Sequence, residues 1–360
     1  MSHTIERIQF PSVSETSKTT KEEKNDMKIE NQEYINKRTQ RKVNEKIVSF
    51  LSNEERRDYS KMISFTVDND LEHIKDDALS FRILTDGRYE IGLHCADPIS
   101  HIHPESSELK QLIEKFFDKV YNENNTNEND EMIEKMKNEH KLKLGKCNVF
   151  SFLVRLKIVE RNNVKTVEIN EIKTGRTTIE IKATFTFESF TEMIKTKEFP
   201  QENVRAYQEL DKTTLIRTCV SFFNLAKSMK LIKPQSYNPK CPNDGSVLVK
   251  EIGKYVARIV GNKLDCKYGD LALIFKGDEM KEMNTNSGKE VLMTEKKNAP
   301  FRSPLRRIGN CFVIRQIIAM VLGMEENEMI YYVTGSFDKE TLEEIKEEIP
   351  KEYKIVPSTF

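Results

Sequence analysis

Five carboxylates fall within ten residues of this chain: Asp68, Asp70, Glu72, Asp76 and Asp77. Charges that close repel one another unless solvent or a cation screens them. Mg²⁺ suits such a group, because it dehydrates reluctantly and takes one or two carboxylates, several waters and the phosphate oxygens of a substrate. Metal-assisted cleavage of a phosphodiester is the chemistry that donor set would serve. The plainer reading is a solvated acidic loop, since 32% of the chain is charged.

The elements around the loop are legible from periodicity. Residues 62–67 alternate as a half-buried strand and residues 79–84 resume one, so the carboxylates crowd one end of a hairpin. Thr85-Asp86-Gly87-Arg88 turns that hairpin, with Gly87 supplying the positive φ a tight turn demands. From Ser106, the residues Leu109, Leu112, Ile113, Phe116, Phe117 and Val120 recur at helical spacing, which predicts an amphipathic helix ending near Tyr121, followed by a polar loop over 122–130. Residues 149–160, 163–171 and 178–187 read as strands, and 188–196, 203–230 and 247–262 as helices, with Pro234, Pro239 and Pro242 between the last two. Strands with one helix, then mostly helices, predict an α+β fold: a mixed β-sheet packed by helices on one side. Residues 1–45 hold few apolar side chains and read as a disordered charged arm. A single domain is expected over 46–350, and a tail over 351–360.

A second motif lies far downstream. Residues 301–316, FRSPLRRIGNCFVIRQ, place Ser303-Pro304-Leu305-Arg306-Arg307 before a nearly all-apolar helix. Arginines in that setting must be paired or must face a cavity. Asp68, the Asp76-Asp77-Ala78-Leu79 group, the Asp86-Gly87 turn and His94-Cys95-Ala96-Asp97-Pro98, taken with this segment in this order, resemble the RNB family of exoribonucleases, the RNase II type, which includes the hydrolytic exonuclease subunit of the exosome. The resemblance covers roughly residues 48–350 and is strongest in the two motifs.

The resemblance implies that the motifs meet at the bottom of a narrow channel for single-stranded RNA. It implies Mg²⁺ as cofactor, with Mn²⁺ as a substitute, held by Asp68 and Asp77, while Asp76 helps hold the metal or the attacking water. Arg306 would contact the scissile phosphate, with Arg307 a neighbouring phosphate contact. Tyr121 would stack on a base near the RNA 3′ end; a helix-terminal core aromatic is the alternative there. The activity implied is 3′-to-5′ hydrolysis of single-stranded RNA to nucleoside 5′-monophosphates. The chain departs from the pattern at Ile74, where the family carries a fourth acidic residue that nearby Glu72 could replace, and at Ile308, Asn310 and Ile314, where it carries tyrosine, aspartate and histidine. Those losses, with no room for the usual RNA-binding barrels, favour an alternative: a catalytically inactive RNB-like RNA-binding or scaffold subunit of an RNA-processing assembly. An exosome-like complex, or a partner supplying the barrels, is the partner this implies.

Lys+Arg and Asp+Glu both number 58. No net field therefore draws in RNA, and any basic track must be local. Six cysteines without a CxxC pair indicate neither zinc nor a disulfide framework. His94, His101 and His103 lack ligand-spaced partners and read as ordinary surface histidines, and His73 as a solvated one. No apolar run spans a bilayer, so the expectation is a soluble intracellular protein of cytoplasm or nucleus.

Overall fold

In this computed structural model, residues 21–53, 56–71, 74–121, 130–161, 164–229, 231, 244–285 and 288–355 are described. Helix α1 (Lys21–Asn53) comes first, then strands β1 (Arg57–Asp58), β2 (Ser64–Asp68), β3 (Asp77–Ile83) and β4 (Tyr89–Ala96). Helices α2 (Ser107–Tyr121) and α3 (Glu131–His140) lead to the long strands β5 (Gly145–Arg161) and β6 (Val164–Thr186). After α4 (Phe187–Thr196) and β7 (Val204–Ala206) come α5 (Lys212–Ser228) and α6 (Asp244–Tyr268), the hairpin β8 (Phe275–Thr285) and β9 (Gly288–Asn298), and finally α7 (Ile308–Val321), α8 (Glu326–Thr334) and α9 (Lys339–Ile355).

The sheet is mixed, as expected. β3 pairs antiparallel with β2 and β4, β4 with β5, and β5 with β6. The end of β6 runs parallel to β2, with Asp68 opposite Thr186, so the ladder returns to its first member. The 163–171 and 178–187 readings are parts of one strand. The polar stretch between them, with Lys173 and Gly175, looks like a turn but is held extended against Leu153 and Ser151 of β5. Asn170 is skipped in that ladder, where Arg155 faces Glu171 and Leu156 faces Ile169, and so forms a bulge.

A polar seam crosses the buried face of the sheet. His94 Nε2 lies 2.9 Å from Ser80 Oγ, its Nδ1 lies 2.6 Å from Ser151 Oγ, and Ser151 reaches Thr177 at 2.5 Å. Burial drives the His94 pKa down to about 3, so the ring is a neutral bridge between two hydroxyls. Gly92 makes room for it, since a Cβ there would sit 2.2 Å from Ser80 Oγ and 2.6 Å from His94 Nε2.

Other differences from the sequence reading have local causes. Residues 21–45 of the expected arm continue as helix. Ion pairs Lys37–Glu33 at 2.7 Å and Arg41–Glu45 at 3.0 Å support α1, and Val43, Ile47 and Phe50 bury one stripe of it. Lys46 pins that end to Glu328 of α8 at 2.6 Å. The 203–230 helix begins only at Lys212, where Asp211 caps it by accepting from Thr214 N at 3.1 Å. Helix α3 starts on a similar cap, Asp130, which accepts from Met132 N and Ile133 N. Glu72, His73, most of the 122–130 loop and Pro234, Pro239 and Pro242 lie outside the described residues.

Candidate active site

The two motifs meet. Asp76, at the entry to β3, is 1% exposed. Its Oδ2 accepts from Arg306 Nε at 2.6 Å and its Oδ1 from Leu305 N at 3.0 Å. One carboxylate therefore holds both the side chain and the backbone of the arginine segment. The segment's own turn aims the guanidinium: Ser303, at φ +58 before Pro304, accepts from Arg306 N and Arg307 N at 3.1 and 3.0 Å. Its hydroxyl takes a further bond from Arg306 Nη2 at 2.8 Å. Positive φ in a non-glycine residue is a strained conformation that persists where the surroundings enforce it.

Asp77 is engaged by a residue that sequence reasoning did not single out. Arg302 Nε and Nη2 both reach Asp77 Oδ2, at 3.0 and 2.9 Å. Arg302 lies against α6 at Gly253, where a Cβ would stand 2.0 Å from its Nη1. The other oxygen, Asp77 Oδ1, is buried and accepts no hydrogen bond by geometry. Cys95, paired opposite Asp77 in the ladder, is its neighbour, and a thiol is only a weak donor. Burial, reinforced by the Asp77 charge, pushes that thiol well above its ordinary range.

Asp68 ends β2 half-buried and accepts from Asn69 N at 2.9 Å. It lies within electrostatic reach of Arg306: burial works against the guanidinium's charge, and Asp76, Asp77 and Asp68 outweigh it and raise the arginine's pKa. For Asp76 the balance differs. Burial, aided by the Asp77 charge, lifts it from 3.8 to about 6 against the pull of Arg306. Lys75 is also buried here, its ammonium bonded to the Asp70 carbonyl.

No group of three metal-ligating side chains occurs among the described residues. The carboxylates expected from the sequence to hold a cation, Asp68 and Asp77, stand at the end of β2 and the start of β3, and Asp77 Oδ1 is buried. Mg²⁺ takes one or two carboxylates and completes its shell with water and phosphate. Ile74 contributes nothing to that set, being partly buried against the core.

The remaining candidates separate. Arg307 is 3% exposed, with its guanidinium 4.2 Å over the Tyr353 ring of α9. Tyr121 is 60% exposed, stacks on Phe117 at 5.9 Å and lies under Lys351 of α9. Two residues earlier, Lys119 donates to the Arg306 carbonyl at 3.0 Å. Two positions turn a helix by about 200°, so Tyr121 faces away from that contact. Asn310, where an aspartate was expected, exchanges hydrogen bonds with the Tyr353 hydroxyl at 3.1 and 3.2 Å. Arg315 and Gln316 are structural ties, to the carbonyls of Tyr332 and Ile102 and to the backbone of Leu271 and Leu273. His94, expected at the surface, is instead fully buried between the hydroxyls of Ser80 and Ser151, while His101 stacks on His140 at 5.6 Å.

The segment read as a tail is instead the end of α9 up to Ile355, and besides Tyr353 under Arg307 it supplies Glu352. Glu352 is fully buried and caps α7 from outside, its Oε1 and Oε2 accepting from Ile308 N and Gly309 N at 2.7 and 2.9 Å. A carboxylate at a helix N-terminus satisfies orphan N–H groups and complements the dipole. Burial nonetheless raises its pKa.

The RNB domain model matches residues 56–355. The chain belongs to the RNB domain family. No curated protein matches it. Solved structures share the RNB fold at low identity. RNase R of Mycoplasma genitalium, in complex with ribose-methylated single-stranded RNA, is 12% identical with a TM-score of 0.54, over 84% of this chain and 58% of that one. The Dss1 exoribonuclease of Candida glabrata, an active-site mutant, is 13% identical with a TM-score of 0.54, over 84% and 44%. Yeast Ssd1, a pseudonuclease, is 16% identical with a TM-score of 0.50, over 84% and 45%. The chain thus spans about half the length of these RNB proteins. Among its described residues, no helix is long and apolar enough to cross a membrane.

Proposed function

We propose that this RNB core is a divalent-metal-dependent exoribonuclease that hydrolyses single-stranded RNA from its 3′ end and releases nucleoside 5′-monophosphates. The observation that carries the reading is the convergence of Asp76 and Asp77 with Arg306 and Arg302, from opposite ends of the chain, around a buried carboxylate oxygen that accepts no hydrogen bond. Asp68 and Asp77 would hold Mg²⁺ or Mn²⁺, which when bound supplies charge neutralisation at a phosphate and a more acidic water. Asp76 orients Arg306, which is aimed to stabilise charge on the phosphate oxygens as the diester is attacked. Arg307, stacked on Tyr353, positions the segment or contacts a neighbouring phosphate, and Tyr121 is a surface stacking platform outside this cluster.

A specific observation favours a second reading, an inactive RNB-like RNA-binding subunit. Asp76 and Asp77 are each already neutralised by an arginine, and Ile74 is apolar. The two readings separate in the Ile74→Asp variant, assayed in single turnover across a Mg²⁺ titration. If the site is a working one with a missing ligand, cleavage rises at low Mg²⁺. RNA that is bound but intact in both wild type and variant supports the second reading and overturns the first.

A further inference from the structure

Asp77 already has a cation. Arg302 Nε donates to its Oδ2 at 3.0 Å and Nη2 stands 2.9 Å from the same oxygen, with the two side chains only 15% and 10% exposed. A pair so sheltered from water is unlike a surface contact, whose worth solvent largely erases. Arginine keeps its charge throughout the pH range of proteins, and its planar fork fixes the carboxylate it meets. The chain thus carries a permanent monovalent cation at a carboxylate whose motif suits a divalent one.

Two further elements hold Arg302 there. Gly253 of α6 is buried and leaves the slot in which the side chain lies: a Cβ at that position would stand 2.6 Å from Arg302 Cζ and 2.9 Å from its Cδ. Glycine weakens a helix relative to alanine, so α6 would be the firmer for a side chain that the arginine excludes. From α7, the Asn310 side-chain amide donates to the Arg302 carbonyl, while the Tyr353 hydroxyl donates to Asn310 Oδ1 at 3.2 Å. Asn310 stands where the family resemblance implies an aspartate. An ionised carboxylate has no N–H to give that carbonyl, so the departure at 310 and the arginine at 302 belong to one arrangement.

A divalent cation on Asp77 would bring two more positive charges beside this guanidinium, in surroundings where water screens poorly and like charges repel strongly. It would also have to take Oδ2 from Arg302 or be confined to the buried Oδ1. The metal and the Arg302–Asp77 pair therefore weaken one another. We infer that Arg302 is an autoinhibitory countercation, which competes with the divalent metal for Asp77 and sets how much metal the site requires. The inference rests on the metal-binding part of the proposed function and adds the residue that controls it.

The test is a Mn²⁺ titration of the full chain without RNA, with the free ion read by electron paramagnetic resonance, so that metal binding is measured apart from cleavage. Arg302→Gln should bind Mn²⁺ about tenfold tighter than wild type, because a like charge has left the site. Arg302→Lys, which keeps the charge, should stay near wild type, and adding Asp77→Asn to Arg302→Gln should abolish the gain. Gly253→Ala, which crowds the guanidinium out of its slot while giving α6 a better helix former, should also tighten Mn²⁺ binding; it decides the matter if circular dichroism shows Arg302→Gln unfolded. Equal Mn²⁺ affinity in wild type and the folded variant overturns the inference and leaves the proposed metal site standing. Binding by neither protein overturns the inference together with the metal part of the proposed function. A gain that survives Asp77→Asn, or one that Arg302→Lys reproduces in full, overturns the inference as well.

Discussion

Replacing Arg306 with methionine tests how the site is held together, because the partner it abandons cannot reach water. Asp76 is 1% exposed and its raised pKa reflects that burial. In the wild type, the native state binds the Asp76 proton more tightly than the unfolded chain does. The stability this gives is full below about pH 4 and is lost as pH rises through about 6; the interval between 3.8 and about 6 corresponds to about 3 kcal/mol. In Arg306→Met, the countercharge is gone and the folded pKa climbs further, so the variant keeps losing stability above pH 6, where the wild type has levelled off. At pH 8 the uncompensated buried carboxylate should cost about 3–5 kcal/mol. At pH 4 both proteins hold a neutral Asp76, and the difference should shrink to the lost bonds, about 1 kcal/mol. The chain has no tryptophan, so urea unfolding followed by far-ultraviolet circular dichroism is the suitable assay. A loss at pH 8 no larger than at pH 4 would show that Arg306 does not balance a buried Asp76, and would refute the geometry.

Two further substitutions probe the frame around the site. Gly92→Ala drives a methyl group into the Ser80–His94 seam, and by the usual cost of overpacking should destabilise the protein by about 1–3 kcal/mol in the same urea assay; a neutral effect would mean that the seam is loose. Glu352→Ala strips the start of α7 of its outside cap and leaves two buried N–H groups unmet, an expected loss of about 1–3 kcal/mol, while Glu352→Gln, which keeps one acceptor, should lose less. Equal losses in the two variants would point to packing rather than capping.

The catalytic-looking residues were legible because they are local in sequence. Asp68, Asp76 and Asp77 crowd one end of the hairpin, and Arg306 follows Ser303-Pro304-Leu305 directly before an apolar helix. The β3–β4 hairpin was legible for a similar reason, since Gly87 at φ +78 marks its turn. What stayed hidden is set by long-range contact. Nothing near Arg302 in sequence says that it will reach Asp77, 225 residues away, and Glu352 and Tyr353 read as part of a tail until α9 packs against the start of α7. Helix α1 was hidden by composition: its polar surface resembles a disordered arm, and only Val43, Ile47 and Phe50 betray the stripe that docks. Lys173 and Gly175 suggested a break where the β5 ladder overrides local propensity.

The most direct test of the central claim is a single-turnover digestion of a 5′-labelled single-stranded oligoribonucleotide with saturating Mg²⁺, comparing wild type with Asp77→Asn and identifying the released product. That substitution keeps the shape of the side chain and removes the charge proposed to hold the cation. The expected result is a ladder shortening from the 3′ end, with nucleoside 5′-monophosphates released by the wild type, abolished in Asp77→Asn and absent in EDTA. RNA left full-length by the wild type at every Mg²⁺ concentration, or cleaved equally by both proteins without metal, would contradict it.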